Sequence, residues 1–323
     1  MAPRFSVVIP VHNKARHVRA AIESARAQTF RAHEIIVIDD ASTDGSGAIL
    51  AAIDDPLIVR LHRETPGPGG YAARNLGIAN ATGDWIAFLD ADDRWHGAHL
   101  ADLAAATDRH PEAGCAATRY LHVHADRQVP SKTSAGLAEA AKRPVDLAGF
   151  LRLWLELGEC PIWTGAAAFR RDVLAAAGLF PAGRAQRGGD KDLWLRAVAR
   201  APFIHVPKIS AEFWRDTDNK VSKTTTTTGL PVLVPTARGM IAHAAPIERR
   251  LLRRLVNQQI GLYARFAFKG GRLSPELRAG LYLPEGWRTL LTMWAVGALP
   301  GGLRRRIHDR MRPAGPARLA AGR

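Results

Sequence analysis

The tightest constraint on the fold is a short apolar run, Trp85-Ile86-Ala87-Phe88-Leu89, that ends abruptly in Asp90-Ala91-Asp92-Asp93. An apolar run of this length, bounded by Gly83-Asp84 and by acids, reads as a strand buried on both faces of a parallel sheet. In an open α/β sheet, chain leaving the carboxyl end of such a strand enters the crevice where ligands bind. Asp90 and Asp92 flank the small Ala91, and in extended chain residues two apart point the same way. Like charges so placed are costly unless a cation sits between them. Hard carboxylate oxygens suit Mg²⁺ or Mn²⁺ better than zinc. The plainer reading is that these acids end a strand and cap the next helix, a role that suits Asp93.

The same alternation runs through the rest of the first half. Residues 5–11 form a first buried strand, Asn13 offers an N-cap, and Val18, Ala21, Ile22 and Ala25 recur at helical spacing to about Gln28. Residues 33–38 make a second strand ending at Asp39-Asp40, and 41–46 open a helix that runs to Ile53. A third strand at 57–61 and the glycine-rich 66–70 lead into a helix over 71–79. Strands alternating with helices in this way mean an α/β fold with a doubly wound, mostly parallel sheet flanked by helices. Beyond it, 100–109, 147–157 and 193–198 read as helices, 113–123 as a strand, and 164–178 as a strand then a helix. Residues 203–206 and 212–215 read as separate strands, and 129–144 as loop. The low-complexity 221–228 marks a boundary between a first domain, 1–228, and a basic, mainly helical region, 229–323.

Two cysteines far apart, Cys115 and Cys160, make neither a disulfide framework nor a metal spacing, which favours a reducing cytoplasm. The opening residues carry no secretory leader, and the apolar run at 290–299 is about half the length that spans a bilayer. The net charge of +15 is concentrated late: from Pro231 onward 17 Lys and Arg face four acids. Arg249, Arg250, Arg253 and Arg254 alternate with Leu251, Leu252, Leu255 and Ile260, and Arg304-Arg305-Arg306 lie near Trp287, Trp294 and Leu303. Such segments suit peripheral contact with an anionic membrane, at its inner face, or a helical cap packed on the first domain. Aromatic residues are too sparse among the cations, and recognition motifs too absent, for a nucleic-acid partner.

Several further residues carry chemistry. Asp40, at the end of the second strand, is placed to accept from a base or ribose, with Asp39 the more structural of the pair. Gly67, Gly69 and Gly70 match neither the dinucleotide fingerprint nor a Walker A loop, and Arg74 beyond them either reaches phosphate or is a solvated helix cation. Asp190, after Gly188-Gly189, is a candidate general base or a plain helix cap; Asp192 reads as a cap or the partner of Arg196. Trp163-Thr164-Gly165 and Trp194 can offer an apolar face to a sugar ring, or pack in the core as aromatics more often do.

In order along the chain, Ser6-Val7-Val8-Ile9-Pro10-Val11-His12-Asn13, Glu34-Ile35-Ile36-Val37-Ile38-Asp39-Asp40-Ala41-Ser42-Thr43-Asp44-Gly45-Ser46, Ala73-Arg74-Asn75-Leu76-Gly77 and Gly83 to Asp93 closely resemble the family 2 glycosyltransferases of the GT-A fold. The likeness runs from about Phe5 to Lys223. It implies an inverting transfer of a sugar from a nucleotide-diphosphate donor, most often a UDP-sugar, to a hydroxyl of a glycan or lipid-linked acceptor, aided by Mn²⁺ or Mg²⁺. It also implies roles: Pro10, His12, Asn13, Asp40, Arg74 and Asp90 toward the nucleotide, and Asp92 with Asp90 toward the metal. Asp190 becomes the base, with Trp163, Thr164, Gly165, Gly189 and Trp194 on the acceptor side. Two departures stand out. The Glu that usually precedes the base is Gly189, and the metal-site His after the aromatic-Arg pair is replaced at Thr217, with Asp216, Asp218 or water to take its place. Loss of catalysis with retained nucleotide-sugar binding is the alternative these departures allow. A sugar nucleotidyltransferase would need a Gly-rich, Lys-containing signature near the N-terminus, and none is present.

Overall fold

The computed structural model describes residues 2–217, 229–270, 274–300 and 302–303. β1 (Phe5–Val11), β2 (Glu34–Asp40), β3 (Ile58–Arg63) and β4 (Trp85–Phe88) are parallel, in the order β3-β2-β1-β4. Their near-continuous Val, Ile and Phe content follows from burial on both faces. One apolar cluster, with Val8, Ile36 and Phe88, lies on one side of the sheet, and another, with Val7, Ile35 and Trp85, on the other. From β1 the chain builds outward through β2 and β3 on one side and places β4 on the other. That reversal opens a crevice at the carboxyl ends of β1 and β4.

The sheet continues as a mixed one through β8 (Ala167–Arg170), antiparallel to β4, and then β6 (Cys115–Val123) and β9 (Phe203–Trp214). β5 (Arg94–Trp95) closes the far edge against β9, and β7 (Gln128–Pro130) pairs with β6. The expected pair of strands at 203–206 and 212–215 is one long strand whose register shifts opposite Thr118–Tyr120 absorb the polar stretch between them. The expected loop at 129–144 holds the end of β7 and a one-and-a-half-turn helix, α5 (Ala135–Ala140), whose Ser134 hydroxyl accepts from Leu137 N–H at 3.2 Å.

The helices α1 (Val18–Arg26), α2 (Ser46–Ala51), α3 (Tyr71–Asn80), α4 (His99–Arg109), α6 (Leu147–Leu157), α7 (Arg171–Ala177) and α8 (Gly189–Val198) flank the sheet. Asn13 does not cap α1, which begins five residues later; with φ 53° it turns its side chain to accept from Thr43 N–H at 2.7 Å. From residue 229 follow α9 (Leu233–Ile241), α10 (Pro246–Gly270), α11 (Pro275–Ala279) and α12 (Trp287–Ala298). Leu251, Leu252, Leu255 and Ile260 of α10 join the same apolar cluster as Val8, Phe88 and Trp154. The apolar stripe of this cationic helix is therefore buried within the protein. No helix among the described residues is long and apolar enough to cross a membrane. The 221–228 stretch and Arg304-Arg305-Arg306 lie outside the described residues.

Candidate active site

The crevice at the sheet's switch point encloses about 470 Å³. Pro10, His12 and Lys14 reach it from the end of β1, Asp40 from β2, and Asp90 and Asp92 from the chain beyond β4. Asp40 is 2% exposed. Its carboxylate is met by the Arg63 guanidinium and, at 3.1 Å, by Gly67 N–H, which ties the 63–67 loop over this end of the crevice. His12 Nδ1 lies 2.7 Å from the Asp40 carbonyl oxygen. Asp39 is the structural partner, accepting from Ser42 N–H at 3.0 Å.

The two acids of the Asp-x-Asp pair are each matched to a cation of the chain. Arg74, in the middle of α3, donates from Nη2 to Asp90 Oδ1 and from Nη1 to the Gly69 carbonyl at 2.9 Å. Its Nε is buried without a hydrogen-bond partner, so the guanidinium keeps a donor in reserve. Burial alone would lower the Arg74 pKa; Asp90, with help from Tyr71 and Asp190, more than offsets it and raises it. Lys14 Nζ lies 2.8 Å from Asp92 Oδ2, and the Thr217 hydroxyl donates to the same oxygen at 2.6 Å. Thr217 thus reaches Asp92 from the position of the missing His. Asp216 does not replace that His: its exposed carboxylate accepts from Ala125 N–H at 2.8 Å; Asp218 lies outside the described residues. Among the described residues no three His, Cys, Asp or Glu side chains converge. The oxygens on offer at Asp90, Asp92 and Thr217 are all hard donors, which fits Mg²⁺ or Mn²⁺.

Across the crevice stands Asp190, in the first turn of α8. Its Oδ2 lies 3.5 Å from the Thr164 hydroxyl. Gly188 caps the helix at φ 73°, a conformation that disfavours any side chain. Gly189 is fixed by a neighbour: its N–H donates to Tyr71 Oη at 2.9 Å, and a Cβ there would fall 2.7 Å from the Tyr71 ring and 2.8 Å from Pro181. The glutamate expected from the resemblance has no room because Tyr71 fills its place. Burial and the charge of Asp190 hold the Tyr71 phenol far above its usual range, so it stays protonated. Gly189→Ala is expected to destabilise the fold by about 1–3 kcal/mol through overpacking, read as a lower urea midpoint at unchanged slope.

Asp192 points away from the chemistry: it is 1% exposed and pairs with Arg196 at 2.8 Å. Trp163 and Thr164 line the crevice, and Trp163 stacks on Phe213 at 5.0 Å. Three of the expected acceptor-side residues do not: Trp194, Gly165 and Gly189, the last buried against Tyr71. Trp194 is fully buried and stacked on Phe169 at 4.1 Å, so it is core. Gly165 is buried beneath the Trp163 ring, with its carbonyl accepting from Trp95 Nε1 at 2.7 Å. Asn13, engaged with Thr43, is likewise not part of the crevice lining.

The family model for glycosyl transferase family 2 matches residues 6–177, just over half of the chain. The chain belongs to glycosyltransferase family 2. The succinoglycan biosynthesis protein ExoO of Rhizobium meliloti is 46% identical over 93 residues, which is 28% of this chain and 26% of that protein. An uncharacterised glycosyltransferase of Rickettsia conorii is 45% identical over 94 residues, 29% of this chain and 15% of its own length. The chain thus aligns with only about a quarter or less of these relatives. The structure of S. aureus TarS 1–349 in complex with UDP-GlcNAc has a TM-score of 0.68 at 17% identity, covering 91% of this chain and 90% of that one. The GT-A fold extends beyond the family-matched segment.

In this family 2 chain the crevice has contributors that sequence reasoning missed. Tyr71 comes from the start of α3 and Lys14 from the chain after β1, and Gln259, Leu262 and Tyr263 of α10 close one wall. Tyr71 had a faint signal, following a glycine pair at a helix start. The α10 residues had none, because only the packing of that helix on the shared core brings them there.

Proposed function

We propose that this chain is an inverting glycosyltransferase that moves a sugar from a nucleotide-diphosphate donor, a UDP-sugar by preference, to an acceptor hydroxyl. The product fits bacterial cell-surface polysaccharide, glycolipid or related glycan synthesis. The observation that carries this reading is the gathering, in one crevice, of Asp40, the Arg74–Asp90 and Lys14–Asp92 pairs and, opposite them, Asp190. Asp40, with Pro10 and His12 beside it, lies where a base and ribose would be read. Arg74 and Lys14 supply positive charge for the diphosphate. Asp90 and Asp92, with the Thr217 hydroxyl, are the groups that would hold a divalent cation, which when bound supplies charge neutralisation of the leaving diphosphate. Asp190 takes the acceptor proton as the acceptor oxygen attacks the anomeric carbon, and Thr164 orients its carboxylate. A single displacement inverts the centre without a covalent enzyme intermediate. Trp163, backed by Phe213, gives the acceptor ring an apolar shelf. Residues 1–228 carry the chemistry in this reading, and α10, within the region 229–323, closes the crevice. The free Cys115 and Cys160 fit a cytoplasmic setting.

The test is thermal melting with UDP, GDP, dTDP or CMP, each with and without Mn²⁺. A donor-class nucleotide raises the melting temperature by mass action; UDP with Mn²⁺ is expected to give the largest shift. No shift with any nucleotide would overturn the donor assignment. A catalytically silent nucleotide-sugar-binding protein is the second reading, favoured by Gly189 in place of the usual Glu.

A further inference from the structure

We propose that the outer face of α12 docks on an anionic lipid surface. Trp287, Leu291 and Trp294 are 50%, 58% and 61% exposed. Their spacing of four and three residues puts them in one stripe along the helix. The opposite side seats the helix: Met293 is 1% exposed within the core, and Thr289 packs against α10 at Gly261. The fold therefore secures α12 without its indoles, and Leu283, 58% exposed in the turn before it, extends the same kind of surface.

The charges around the stripe select the occupant. Arg288 lies 5.3 Å from the Trp287 ring centroid and Arg278 5.6 Å from that of Trp294. On α10, the exposed Arg254 and Arg265 stand seven residues before and four after Gly261, and so on the side where α12 packs. Among the described residues the exposed acids of this region are Glu276 and Glu285, against the excess of 17 cations over four acids from Pro231 onward. Indoles at the boundary of an apolar stripe flanked by arginines match the interface of a bilayer with anionic headgroups. A second copy of the chain fits less well. Four half-exposed side chains offer roughly half of the ~800 Å² per partner that a stable dimer buries, and the cations on both copies would repel. The inference does not depend on which sugar or acceptor the crevice takes.

The experiment is flotation of the full chain with phosphatidylcholine vesicles, with and without phosphatidylglycerol, followed in parallel by tryptophan emission. Wild type is expected to float only with the anionic vesicles, with blue-shifted emission, and to be released by high salt. The double variant Trp287→Ser/Trp294→Ser is expected to bind at least about tenfold more weakly, while its melting shift with nucleotide stays that of wild type, which checks the fold. Leu291→Ser alone should give a smaller loss in the same direction. Undiminished flotation of the folded double variant would overturn the proposal, since other arginines would then carry the binding. Equal binding to neutral vesicles would overturn it too. So would a wild-type dimer in light scattering that the double variant abolishes.

Discussion

Asp190→Asn is expected to lower the turnover number for sugar transfer by about 10²–10⁴-fold, the range that a positioned general base supplies. The melting shift with nucleotide should remain. The argument rests on the contrast between two aspartates one turn apart or less. Asp192 is buried and held by Arg196 and the Thr236 hydroxyl, so it anchors α8 to α9. Asp190 lies on the crevice side, near Thr164 and a Tyr71 phenol that burial and this very carboxylate keep protonated. The Asn side chain fills the same volume but accepts no proton. Steady-state transfer to the physiological or a surrogate acceptor separates the outcomes. A large fall in turnover with intact nucleotide binding supports the base assignment, whereas unchanged turnover would move that role elsewhere. Turnover absent already in wild type would favour the silent binding protein.

The second large effect is expected at Asp92. Asp92→Ala removes a carboxylate set between the Lys14 ammonium and the Thr217 hydroxyl, with both ionic side chains only 11% exposed. Breaking a fully buried pair from one side costs 3–5 kcal/mol; here, with some solvent access, about 2–3 kcal/mol of stability should be lost. The Mn²⁺-dependent part of the nucleotide melting shift should vanish with it. Lys14→Met separates the two consequences, because it leaves the oxygen set intact. That variant should lose some stability yet keep its Mn²⁺ response. A full Mn²⁺ response in Asp92→Ala would place the cation on other groups.

Much of this architecture is legible from residue order because burial on both faces leaves a strand few choices. β1, β2 and β4 read directly as apolar runs, and the acids ending them lie at the switch point where such sheets hold ligands. What is not legible depends on contacts made across long stretches of chain. Trp194 and Trp163 look equivalent in sequence, yet one is stacked in the core on Phe169 and the other lines the crevice on Phe213. Asn13 has the chemistry of a cap but serves a neighbouring loop. α5 is too short for its periodicity to stand out from loop. Gly189 reads as a departure until the ring of Tyr71 is seen filling the space. The arginine-rich α10 resembles a surface helix because its charges dominate the pattern, while its leucines join the cluster of Val8, Ile36 and Phe88, more than 150 residues earlier in the chain.

That last arrangement bears on how such a protein diversifies. The segment shared with the family ends at residue 177, whereas Asp190, Gln259, Leu262 and Tyr263 come after it. Exchanging residues 6–177 between two relatives would transplant the strand-end acids of the crevice together with Trp163 and Thr164, and leave Asp190 and the α10 wall behind. The two parts of the crevice can therefore drift on separate stretches of one gene, the first under the constraint of a common sheet and the second under that of a locally packed helix.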